Sequence, residues 1–210
     1  QPLAPGSAEP PHYELLVRMR DDSGRAVPPG AFLPTVERCN LSVRYDRWVI
    51  GTALQWMQAN AAAMGRVSRF FINLSRDSVI DPETGAFIRQ AIAQAGLDPR
   101  RLGFEVAESI AIANLTRANQ LFGELRRMGC AVSLDDFGSG VSSFAYLKAL
   151  GADYLKIDVM FVGDHFAYLR AHPQQHSAFG RESEVRDVAR ALDRERGGHR
   201  RLHAQEFEQH

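Results

Sequence analysis

Residues 102–136 read Leu102-Gly103-Phe104-Glu105-Val106-Ala107-Glu108, then a helical stretch from Thr116 to Met128, then Gly129-Cys130-Ala131-Val132-Ser133-Leu134-Asp135-Asp136. This run decides the fold. Its first part, Leu102 to Ala107, alternates bulky apolar residues as a strand does, and Ala131 to Leu134 does so again. The intervening helix stops at Gly129, a residue suited to the left-handed turn that closes a helix. Two strands joined through a helix run parallel, and the crossover is right-handed. Working outward, the same unit recurs. Upstream, a strand at Arg69 to Ser75 leads to a helix near Pro82 to Ala95 that ends at Gly96. Before these come a strand at Tyr13 to Met19, turn material from Asp21 to Gly30, and helices at Ala31 to Arg38 and Tyr45 to Ala63. Trp48, Val49, Thr52, Leu54, Trp56 and Met57 give the second helix an apolar side. Downstream, a short helix at Ser142 to Leu150 precedes a strand at Tyr154 to Ile157. The fold class is α/β, and four or five such units suit a (β/α) barrel better than a small open sheet, although alternation alone fits both.

The bulk properties set limits on function. At 210 residues the body falls within the range of one domain, and 45% hydrophobic with 24% charged residues is an ordinary globular balance. Zero formal net charge argues against general nucleic-acid binding. A phosphate-bearing ligand must then be held locally, by a metal or a few cations. No apolar run reaches the roughly 18 residues of a membrane span, and the opening QPLAPGSAEPP is unlike a secretory signal. Cys39 and Cys130 are expected to be unpaired thiols, which with the rest suggests a soluble, cytoplasmic protein.

The strand ends carry the chemistry, because barrel sites form at the C-terminal ends of the strands. Successive strands offer Glu14, then Asn73, then Glu105 and Glu108, then Asp135-Asp136-Phe137-Gly138-Ser139-Gly140, then Lys156 and Asp158. Converging oxygen donors are what a hard cation such as Mg²⁺ requires. Each residue has a plainer reading. Glu14 alone is compatible with a surface carboxylate, Asn73 with a turn, Asp135-Asp136 with a helix cap, and Lys156 with an ion pair to Asp158. Glu105 and Glu108 fit a helix-start acid and its neighbour. Repetition over five strands favours the functional reading.

These segments together resemble the EAL domains, the bacterial phosphodiesterases and receptors of cyclic di-GMP. The matching stretches are Gln1-Pro2, Glu14-Leu15-Leu16-Val17-Arg18, Ile72-Asn73-Leu74-Ser75, Phe104-Glu105-Val106-Ala107-Glu108-Ser109, Leu134 to Gly140, and Leu155-Lys156-Ile157-Asp158. Pro28 to Phe32, Asp46-Arg47-Trp48 and Ser142 to Leu147 are also similar. The resemblance implies a modified TIM barrel whose first strand is reversed, in a region that includes Gln1. It implies Glu14, Asn73, Glu105 and Asp135 as ligands of Mg²⁺ (or Mn²⁺) and Asp136 as a ligand of a second ion. Lys156 would position the attacking water and a phosphate. Glu108 would anchor the loop after the fourth strand, and Gln1, Arg18 and Asp158 would contact the dinucleotide. Glu14, Asp135 and Lys156 are the expected catalytic set. The reaction is hydrolysis of cyclic di-GMP to linear pGpG in bacterial second-messenger signalling. A homodimer and upstream GGDEF or sensor domains also follow from the resemblance.

The chain departs from the family pattern in three places. The signature reads Glu-Leu-Leu in place of Glu-Ala-Leu, and Ala107 stands where the family has Thr, so no ligand is lost. The third departure is the tail. Residues 1–164 form the barrel core, whereas 165–210 read as a divergent or altered tail with one helix near 185–192. Six of the seven histidines lie there, and no apolar strand precedes Ala204-Gln205-Glu206-Phe207-Glu208, a blurred echo of the family's later glutamate motif. The tail is either an altered reading frame or premature end, the favoured reading, or a divergent cap on a shortened barrel. His172 and His176 share an i, i+4 spacing, but Pro173 weakens a helix there. Two functions therefore compete, a phosphodiesterase and a catalytically inactive cyclic di-GMP receptor or partner-binding module.

Overall fold

The computed structural model describes residues 12–61, 67–138 and 149–157. Gln1, Asp158, the helix expected from Ser142 to Leu150 except its last two residues, which are helical, and the whole tail with its 185–192 helix lie outside the described residues. In chain order the elements are strands β1 (His12–Leu15), β2 (Met19–Arg20) and β3 (Ala26–Val27), then helices α1 (Pro29–Arg38) and α2 (Ser42–Ala59). Next come β4 (Arg69–Asn73), α3 (Arg76–Ile80), α4 (Thr84–Ala95), a 3₁₀ turn at Pro99–Arg101 and β5 (Leu102–Ala107). They are followed by α5 (Glu108–Ala113), α6 (Leu115–Met128), β6 (Ala131–Phe137) and β7 (Tyr154–Ile157).

The predicted repeat is present. One sheet has the order β1-β4-β5-β6-β7, and every neighbouring pair is parallel. The strand bearing Glu14 is thus not the reversed one: no strand of this sheet is antiparallel among the described residues, and Gln1 lies outside them. β3 lies within the predicted turn material and pairs antiparallel with β2, just before it, in a small ribbon. It is closed by Asp21, whose Oδ1 accepts from the backbone N–H groups of Ser23 and Arg25. This ribbon explains why the strand predicted through Met19 stops at Leu15. Gly96 and Gly129 end α4 and α6 in the left-handed conformation, as expected.

Flat, a five-stranded sheet separates its edge strands by about 19 Å. Here the edges meet. The rings of His12 on β1 and Tyr154 on β7 lie 5.3 Å apart, and both contact Phe71 on β4. The sheet is therefore curled like part of a barrel. Curling requires room inside, which Gly103 provides, since a Cβ there would overlap the Phe71 ring.

Strand alternation assigns the other face to the core. Phe70, Ile72, Leu102, Phe104, Val106, Val132 and Leu134 are buried, packed with Ile50, Leu54 and Met57 of α2, Ile88 of α4, and Leu121, Phe122 and Leu125 of α6. Burying a large apolar side chain contributes about 1.5–3 kcal/mol, so this convex layer holds the sheet and leaves the concave face for polar groups. No helix of the described residues is long and apolar enough to cross a membrane.

Candidate functional site

The concave face carries a polar layer at the C-terminal ends of the strands. Register sets its geometry: Asn73 pairs with Glu105, and Ala107 with Asp135, so the strand ends stand side by side. Curling then brings Glu14 and Lys156 together from the two edge strands. Lys156 Nζ donates to Glu14 Oε2 at 2.9 Å, to Glu105 Oε2 at 2.9 Å and to Asp135 Oδ2 at 3.2 Å. Asn73 Nδ2 donates to Glu14 Oε1 at 2.8 Å. Five of the predicted residues therefore form one cluster.

The electrostatics of this cluster are unbalanced. Glu105 is only 3% exposed. Burial pushes its carboxyl up to about 7, against the pull of Lys156, and the negative charges of Glu14 and Asp135 push the same way as burial. Lys156 lies above its ordinary value: burial lowers it, but attraction to Glu105 and hydrogen bonds to Glu14 and Glu105 more than offset that. When all are ionised, three carboxylates face one ammonium, which leaves an excess of two negative charges. Glu14, Glu105 and Asp135 each present an oxygen within 4.8 Å of the others. A divalent cation matches both the charge excess and the hard oxygen donors.

The turn after β6 is built separately. Its pairing with β7 is irregular between Leu134 and Phe137. Asp136 sits at φ 54° and Gly138 at φ 93°, a left-handed bend that Asp tolerates better than most residues and Gly freely. The Asp136 N–H donates to Asp135 Oδ1 at 3.0 Å. Asp136 is exposed, and its carboxylate is not among the three mutually close ones. Glu108, 3% exposed, accepts from the Gly138 N–H at 2.9 Å and so holds this bend against α5. Arg18 lies past the end of β1, donating to the Val17 carbonyl at 2.9 Å. Gln1 and Asp158 lie outside the described residues.

The irregularity in β6 was missed in the sequence, though a signal was present. Adjacent residues on a regular strand point to opposite faces, so Asp135 and Asp136 can serve one site only if the strand breaks its alternation.

Comparison with known proteins agrees with this architecture. The family model "EAL domain" matches residues 1–193. The chain is 38% identical over 151 residues to the cyclic di-GMP phosphodiesterase PdeF of Escherichia coli (strain K12), covering 72% of this chain and 20% of that protein. It therefore spans about a fifth of the length of such curated relatives. Among solved structures, the EAL domain of FimX from Pseudomonas aeruginosa bound to c-di-GMP superposes with a TM-score of 0.68 at 27% identity, covering 91% of this chain and 71% of that one. The PaMucR phosphodiesterase in complex with c-di-GMP gives 0.64 at 28% identity, covering 88% and 73%. The curled parallel sheet, the ordered motifs and the family match together establish that this chain belongs to the EAL domain family.

Proposed function

We propose that the chain is a cyclic di-GMP phosphodiesterase that opens one phosphodiester bond to give linear pGpG, using Mg²⁺ or Mn²⁺. The observation that carries this reading is the cluster of Glu14, Glu105 and Asp135 with its excess of two negative charges around Lys156. A relative named as a cyclic di-GMP phosphodiesterase and neighbours solved with c-di-GMP support the substrate. Glu14, Asn73, Glu105 and Asp135 hold the metal, and Asp136 on the bend holds a second ion. When bound, such ions lower the pKa of water and neutralise charge on phosphoryl oxygens. The chain's own groups do the rest. Lys156 Nζ donates to Glu14, Glu105 and Asp135, so it orients water and a phosphate oxygen as a donor. Glu108 keeps the bend after β6 in place, and Gln1, Arg18 and Asp158 contact the dinucleotide. The protein acts in the cytoplasm, as a homodimer and with upstream GGDEF or sensor domains in the parent polypeptide.

The test is the appearance of pGpG from cyclic di-GMP on adding Mg²⁺, abolished in Glu14→Ala and Asp135→Ala. One feature of the sequence favours a second reading, an inactive receptor: no run of apolar residues comes before Glu206 and Glu208. Tight cyclic di-GMP binding without pGpG at any Mg²⁺ or Mn²⁺ level would select the receptor.

A further inference from the structure

Among the described residues three carboxylates are almost fully buried: Glu105 and Glu108, which belong to the site, and Asp46, which does not. Asp46 is 4% exposed and lies on α2, behind the sheet. Its Oδ2 accepts two hydrogen bonds from one residue, Ser75, from the backbone N–H at 2.8 Å and from Oγ at 2.6 Å. Ser75 also caps α3, accepting from the Ser78 N–H. It stands two residues past Asn73. Between them, the Leu74 N–H donates to the Glu105 carbonyl at 2.8 Å. The end of β4 is thus tied to β5 on one side and to α2 behind, where Asn73 reaches Glu14.

Stability alone does not account for this arrangement. A buried carboxylate carries a desolvation cost, which hydrogen bonds offset only in part. Ser75 needs no help to cap α3. An apolar side chain at position 46 would pack α2 against the same connection without a buried charge. What the carboxylate adds is direction: two short bonds fix both the backbone and the side chain of Ser75.

We propose that Asp46 is a positioning residue for the cluster, holding Ser75 and thereby fixing the strand end from which Asn73 meets Glu14. The proposal rests on reading that cluster as a divalent-metal site. It is tested on the full chain with two readouts. One is Mn²⁺ affinity, followed by the electron paramagnetic resonance of free ion. The other is the Asn73 side-chain amide pair in the ¹⁵N–¹H spectrum of metal-free protein, assigned by its loss in Asn73→Asp. Asp46→Ala is expected to weaken Mn²⁺ binding about tenfold or more and to shift or broaden the Asn73 pair. Asp46→Asn keeps an acceptor for the Ser75 N–H and is expected to recover most of that loss. Ile92→Ala, in α4, loosens the core without removing either Asp46–Ser75 hydrogen bond and is expected to leave both readouts in place. An unchanged affinity and Asn73 signal in Asp46→Ala, or equal losses in Ile92→Ala, overturns the proposal. Should Asp46→Ala fail to fold, Ser75→Ala, which removes the hydroxyl bond and keeps the backbone bond, is expected to give a smaller change in the same direction; no change overturns the proposal. Should the wild type take up no Mn²⁺, the metal reading falls, and the Asn73 signal decides positioning by itself.

Discussion

Lys156 shows how much of the site rests on single residues. Three carboxylates share its ammonium, and in the metal-free state it is the cation that offsets them. Replacing it by Met is expected to lower pGpG formation by about 10²-fold or more, the range for a group acting directly on water or phosphate. Because Met removes a competing cation, Mn²⁺ affinity should hold or rise, and parallel loss of affinity and turnover would argue against a direct role. Glu105 gives the pH dependence. Its folded pKa, about 7, is raised above the ordinary carboxyl value. The native state then binds more protons than the unfolded chain across that interval. Its contribution to stability is fully present below the unfolded pKa and is lost as pH rises through about 7. In EDTA, the thermal midpoint should fall between about pH 5 and pH 8, and the fall should flatten in Glu105→Gln. The thiols make a separate check. Cys39 is exposed, whereas burial pushes Cys130 up to about 12. A thiol reagent at neutral pH should modify Cys39 quickly and Cys130 only after unfolding.

Among the elements, those defined by side-chain pattern were legible and those defined by local hydrogen bonds were not. Leu102–Ala107 and Tyr154–Ile157 match the predicted strands at both ends, since apolar alternation and flanking turn residues mark them. The helices ending at Gly96 and Gly129 were readable for the same reason. The short helices α3 and α5 were missed because five and six residues are too few for a periodicity. Ser75 caps α3 by accepting from the Ser78 N–H, whereas α5 starts after Ala107 with no capping side chain. β6 runs to Phe137, three residues beyond the predicted Leu134, because its irregularity carries the pairing past Asp135 and Asp136. Glu14, Asn73, Glu105, Asp135 and Lys156 were all legible as candidates. Their meeting in one cluster was not, because it depends on sheet curl. Gly103 tests the curl directly: Gly103→Ala forces a methyl against Phe71 and is expected to cost about 1–3 kcal/mol, read as a lower denaturation midpoint. A midpoint equal to wild type would show that the inner aromatic layer is loosely packed.

At the scale of the molecule, the convex core and the concave polar layer divide the work. Helices α2, α4 and α6 supply the apolar cover, and the strand ends are left free to concentrate negative charge. That division separates folding from chemistry, so losing a cluster carboxylate should leave the fold intact. The identifiable surplus of charge also states the central claim in measurable form, that Glu14, Glu105 and Asp135 bind a divalent cation. The direct measurement is a Mn²⁺ titration of metal-free wild type, Glu14→Ala and Asp135→Ala, with far-UV circular dichroism to confirm folding. The account predicts saturable binding by wild type and a loss of about tenfold or more in each folded variant. Equal Mn²⁺ binding by all three proteins would contradict it.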